Sequence, residues 1–115
     1  MDNIIDKQSA NHYKWADNCD SWVLVNTPGL SVKLEKMPAG TKEKLHFHSN
    51  AQQFFFVLKG KAAFYCNDKK EIIEPQQGFL AMTTTRHYIA NETPEELEFL
   101  VISQPDTTND RINCE

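Results

Sequence analysis

A succession of short apolar runs, each closed by a cluster of turn residues, limits this chain to an all-β architecture. The runs are "WVLV", "LSVKLEKM", "KLHFH", "FFFVLKG", "KAAFYC", "EIIE", "GFLAM", "RHYIAN" and "LEFLVIS". Between them stand "NTPG", "MPAG", "HSN", "CNDKK", "EPQQG" and "NETPEE". β-branched and aromatic residues suit a pleated, half-buried surface, and Gly, Pro, Asn and Asp supply the φ angles that tight turns need. Short strands at this spacing predict a sandwich or barrel. No amphipathic 3.6-residue period and no internal repeat compete with that reading.

At 115 residues and 13.2 kDa the chain fits one domain. With 40% hydrophobic and 24% charged residues it can build a core without disulfide staples. The net charge of −4 and the scattered lysines argue against a nucleic-acid backbone or an anionic membrane as partner and favour a small molecule. Cys19, Cys66 and Cys114 are odd in number and lack a Cys-x-x-Cys pair, so they read as free thiols. The start "MDNIIDKQSANHYKW" has neither the basic end nor the apolar run of a secretory signal, so a cytoplasmic location is expected.

Alternate residues of a strand point to opposite faces. In "QFFFVLK" this groups Gln53, Phe55 and Val57 against Phe54, Phe56 and Leu58. Both faces are apolar, so one looks into the barrel and the other needs a cover. A second sheet edge, the Trp15 and Trp22 region or a second subunit would provide it, and a homodimer is expected. The same rule sets His46 and His48 on one face with Phe47 on the other. Two imidazoles at i and i+2 lie roughly 6.6 Å apart along the backbone, close enough to converge on one ion with bonds of about 2.0–2.1 Å. His87, on a later strand, is the candidate third ligand, and Gln53 returns to the same neighbourhood just beyond the turn after His48. His12 reads as an ordinary histidine.

These residues resemble the cupin superfamily. Gly40, five residues, His46, one residue, His48, four residues, Gln53, six residues and Gly60 reproduce the spacing of its first motif, with Gln53 where Glu is usual. Gly78, His87 and Asn91 resemble the second motif, without its Pro-x-Gly and with a shorter interval before the histidine. "AQQFF" and "SQP" are similar to stretches of small bacterial cupins, a kinship that brings no substrate with it. The resemblance implies a double-stranded β-helix, the jelly-roll barrel, over residues 30–103. Residues 1–29 would pack N-terminal strands on it, and 104–115 would be a C-terminal tail. It further implies His46, His48 and His87 as metal ligands, Gln53 as a fourth, and Asn91 as a structural residue. The cofactor would be a divalent transition metal, one of Zn, Ni, Fe, Mn, Co or Cu.

Three imidazoles and a carboxamide would leave such an ion its full charge, which favours Lewis-acid work over oxygen chemistry. In size and first motif the chain is also similar to small single-domain cupins that process sugar-derived keto acids or uronates with a Gln among their metal ligands. That resemblance makes an enzyme acting on a small sugar-derived, keto or carboxylic acid metabolite the leading expectation. The alternatives are a three-His iron dioxygenase and a non-catalytic sensor of a small ligand. Tyr65, Tyr88, Glu35, Lys33 and Glu98 are candidates for proton transfer, each more readily read as strand face or core rim. Trp22, Phe55, Phe64 and Met82 could line a pocket, with plain core as the favoured reading. Asp106, Asp110 and Arg111 could close over a barrel mouth, with a solvated tail preferred.

Overall fold

A computed structural model describes residues 4–114, and every regular element among them is a strand. In chain order these are β1 (Asn11–Trp15), β2 (Cys19–Thr27), β3 (Leu30–Met37), β4 (His46–His48), β5 (Gln52–Lys59) and β6 (Ala62–Cys66). There follow β7 (Lys69–Ile73), β8 (Gly78–Ala81), β9 (His87–Ala90), β10 (Leu97–Gln104) and β11 (Arg111–Asn113). They form a six-stranded sheet, β1-β2-β3-β10-β5-β8, and a five-stranded sheet, β11-β4-β9-β6-β7, with antiparallel pairing. Two such sheets face to face make the double-stranded β-helix. No helix among the described residues is long and apolar enough to cross a membrane.

The strand phases follow the sequence. Gln53, Phe55 and Val57 are buried while Phe54, on the other face of β5, is exposed. The core between the sheets is built from Phe64, Phe99, Met37, Ile89, Leu97 and Val57. Phe64 stacks on Phe79 at 4.3 Å between ring centres and tilts against Phe55 at 4.9 Å. Each such aromatic side chain stabilises the fold by roughly 1.5–3 kcal/mol when buried.

Two details position the site. Gly60 turns the chain between β5 and β6 at φ +82°, and a Cβ there would lie 2.4 Å from the carbonyl oxygen of Glu96, so only glycine fits. Asn91, fully buried, donates to the carbonyls of Met37 and Glu95 at 2.9 and 2.7 Å and accepts from Thr93. Its amide thereby ties the entrance of β10 to the end of β3.

The expected solvated tail at Asp110 and Arg111 is instead ordered against the barrel. Arg111 pairs with His48 and Asn113 with His46, which makes β11 the edge strand of the five-stranded sheet. The sequence "DRIN" hides this because a three-residue strand carries almost no periodic signal.

Candidate metal centre

His46 and His48 enter the barrel from β4, and His87 faces His46 from the neighbouring β9. All three are buried, and one ring nitrogen from each lies within 4.8 Å of the others. Their orientation is set by backbone carbonyls. The Nδ1–H of His46 donates to Lys44 at 2.7 Å, that of His87 to Thr85 at 2.8 Å, and that of His48 to Asp110 at 3.3 Å. With Nδ1 so engaged, Nε2 carries the lone pair.

Burial pushes His46 down to about 3 and His87 to about 4, and lowers His48 as well, so the rings are neutral at physiological pH. The Nε2 of His48 is buried with no hydrogen-bond partner, a costly state for a polar atom unless an ion accepts the lone pair. Gln53, itself buried, points its carboxamide oxygen at the Nε2 of His87 across 3.1 Å while its amide donates to Ser103 at 3.0 Å. Two lone pairs would face each other there. A cation shared by both removes the repulsion; without one the carboxamide turns over, donating to His87 and accepting from Ser103. The donor set therefore fits a divalent transition metal.

Beside the histidines opens a cavity of about 290 Å³. It is lined by His46, His48, Gln53 and Phe55 together with Tyr13, Trp15, Lys33, Glu35, Glu43 and Arg111. The Oε1 of Glu43 accepts from the backbone N–H of Ile89 at 3.0 Å, and its Oε2 lies 3.8 Å from Arg111. Burial, reinforced by the nearby Glu35 carboxylate, pushes Glu43 up to about 8 against the pull of Arg111. Glu35 is likewise raised by burial. Lys33 donates to the Tyr13 hydroxyl at 3.0 Å. The cavity is thus a polar chamber in which Glu43 can carry a proton near neutrality and the Glu35 carboxyl is raised in the same direction.

Of the sequence candidates for proton transfer, Glu35 and Lys33 face this chamber. Tyr65 and Tyr88 stack at 4.5 Å and line a different cavity with Lys70 and Arg86. Glu98, 3.9 Å from Lys7, does not line the chamber. Among the expected lining residues Phe55 alone serves; Phe64 is core, Met82 is 56% exposed, and Trp22 packs beside His12 at 5.1 Å. Neither pocket nor core holds Met82. Arg111 reaches the chamber, whereas Asp110 is buried beneath the β4–β5 turn. Glu43 and Tyr13 escaped the sequence reading, and Trp15, expected only as a cover for the outer face of β5, lines the chamber. The alternating aromatics of "YKW" carried a usable strand signal; Glu43 carried none, because residues 42–45 follow no strand parity.

A family model described as "Cupin domain" matches residues 33–103. No curated protein matches the sequence. Among solved structures the chain is similar to KdgF from Halomonas sp., with a TM-score of 0.81 and 17% identity over 90% of this chain and 95% of that one. A predicted oxalate decarboxylase from Thermotoga maritima gives 0.82 and 18% over 90% and 99%. A variant of Streptomyces PAC13 with uridine gives 0.83 and 15% over 100% and 92%. At these identities the structures speak for the fold alone. The match over residues 33–103, laid over two jelly-roll sheets with three converging histidines, makes this chain a member of the cupin family.

Proposed function

We propose that His46, His48 and His87 hold a divalent transition metal with Gln53 as an exchangeable fourth ligand, and that the protein uses it on a small oxygen-rich metabolite. The unpartnered, buried Nε2 of His48 carries this reading. When bound, the ion would supply Lewis acidity, polarising a carbonyl or lowering the pKa of a hydroxyl. Because Gln53 is neutral, that acidity is not blunted as a carboxylate ligand would blunt it.

The residues of the chain supply the rest. Arg111 and Lys33 offer positive charge to an acidic ligand, and Trp15 and Phe55 confine its apolar edge. Glu43, protonated near neutrality and held at Oε1 by Ile89, can donate a proton into the chamber and take one back. Among the fold relatives one is named a predicted oxalate decarboxylase and another holds uridine, both small and oxygen-rich. A keto or carboxylic acid undergoing isomerisation or elimination suits this combination better than an oxygenase substrate does.

Elemental analysis of the purified protein tests the site. Near-stoichiometric metal is expected in the parent, none in the His46→Ala, His48→Ala double variant, and reduced occupancy in Gln53→Ala. A parent that stays empty after reconstitution with each candidate metal removes the reading. Occupancy by iron together with oxygen uptake would select the dioxygenase instead.

The outer face of the large sheet carries Phe54 and Leu80, a cross-strand pair exposed by 38% and 49%. A second copy of the chain covers them in our reading, consistent with both faces of β5 being apolar. Light scattering should return twice 13.2 kDa, and a Leu80→Lys variant should return the monomer; a monomeric parent overturns it.

A further inference from the structure

The segment beyond β10 lies outside the family match, yet it touches the metal centre at several points. The carboxylate of Asp110, 6% exposed, accepts from three successive backbone N–H groups of the turn between β4 and β5. Ser49 donates at 2.9 Å, Asn50 at 3.1 Å and Ala51 at 3.0 Å. Its main-chain carbonyl accepts from Nδ1 of His48. The next residue, Arg111, pairs with His48 across the strands and donates at 3.4 Å to the Lys44 carbonyl, which also receives Nδ1 of His46. The segment entering β11 therefore holds the His48 imidazole directly and shares the carbonyl that receives the His46 ring.

We propose that Asp110 is a positioning residue for the metal, locking the turn after His48 with its carboxylate and the His48 ring with its carbonyl, so that docking of β11 and metal binding are coupled. This rests on the metal reading given above. A buried carboxylate that accepts several N–H donors fixes a turn more firmly than water could. A ligand imidazole held at its second nitrogen loses little freedom when its first meets an ion. Coupling is reciprocal: if docked β11 strengthens metal binding, the metal must hold β11 down by the same factor.

Co(II) serves as the probe, because its visible absorption reports ligand geometry and a competing chelator gives its affinity. Asp110→Ala should weaken Co(II) by about 10–100-fold, the range found when outer-shell partners are removed. Asp110→Asn, which keeps one acceptor oxygen, should fall between it and the parent. Asp106→Ala, a carboxylate removed from the same segment without contact to the turn, should bind as the parent does. Near-ultraviolet circular dichroism checks that each variant is folded.

Should Asp110→Ala fail to fold, hydrogen exchange on the parent decides. Co(II) should slow exchange at the amides of Ser49, Asn50 and Ala51 relative to the metal-free protein. A folded Asp110→Ala with parental affinity and absorption overturns the inference, as does exchange at those amides that ignores Co(II). A parent that binds no Co(II) overturns the metal reading itself, and this inference with it.

Discussion

The same strands build both ends of the barrel interior, and the two ends differ in almost everything except backbone. Along β5 the inward residues run Val57, Phe55, Gln53; along β10 they run Leu97, Phe99, Val101, Ser103; along β3 they run Met37, Glu35, Lys33. One end is therefore aliphatic and aromatic, with Met37, Val57, Leu97 and Phe99 in the core. The other is polar and stays open as the chamber beside the histidines. The inward residues alternate along each of these strands, and the pairing of β10 with β5 shifts register only at Glu98 and Phe99, so the change from apolar to polar needs no break in pairing. What differs is desolvation. Apolar side chains gain from leaving water, whereas Lys33, Glu35 and Glu43 lose, and the chamber remains wherever they gather. Stability can be concentrated at one end of a strand and chemistry at the other.

Phe64→Ala and Phe99→Ala offer the harshest trial of that division. Both rings are fully buried, and each truncation should cost about 3–5 kcal/mol in urea denaturation. They should differ at the metal. Phe64 lies nearly parallel to His87, 10° between planes and 5.7 Å between centres, while Phe99 packs on Phe55 at 6.1 Å. We expect Co(II) affinity to fall several-fold in Phe64→Ala and to stay within a factor of two in Phe99→Ala, measured well below each melting point. Equal losses in both would show that the apolar end sets the metal site as a whole, and the division would fail.

How much of this arrangement the sequence discloses follows the same contrast. The sheets, the inward phase of β5 and the shared face of His46 and His48 are local properties, written in period-two alternation and in turn residues. Asn91 and the three histidines could be picked out because their spacing resembles a family pattern. Glu43 could not, and Arg111 could be offered only as a residue to close over the barrel mouth, with a solvated tail preferred. The first sits in an irregular stretch joined to β9 by an isolated bridge at Lys42, where parity gives no direction. The second belongs to a three-residue strand whose pairing with β4 spans more than half the chain. Tyr65, Tyr88 and Glu98 were plausible proton carriers by residue type alone, and the sheets turn them away from the chamber. Residue type was visible throughout; long-range register was not, and the polar wall depends on register.

A gentler probe sharpens the comparison from the polar end. In the folded chain Glu43 keeps its proton up to about pH 8, while its ordinary value is 4.5. The stability it contributes is present in full below pH 4.5 and is lost as pH rises towards 8. The histidines act in the opposite direction. His46 and His87 stay neutral in the folded chain down to about 3 and 4, against 6.5 ordinarily. As pH falls below 6.5 the unfolded chain takes up protons that the folded chain refuses, and stability drops. Glu43→Gln should therefore flatten the alkaline decline and leave the acid one intact. Taken as variant minus parent, metal-free, the difference in unfolding free energy should grow by about 2 kcal/mol between pH 5 and pH 7, below the limiting slope of about 1.4 kcal/mol per unit. Glu35, also raised by burial, contributes a decline of the same sign that remains in the variant. A constant difference across that range would mean that Glu43 is ionised beside Arg111 at neutral pH. The chamber would then hold a salt bridge in place of a proton donor, and its role in proton transfer would pass to Glu35.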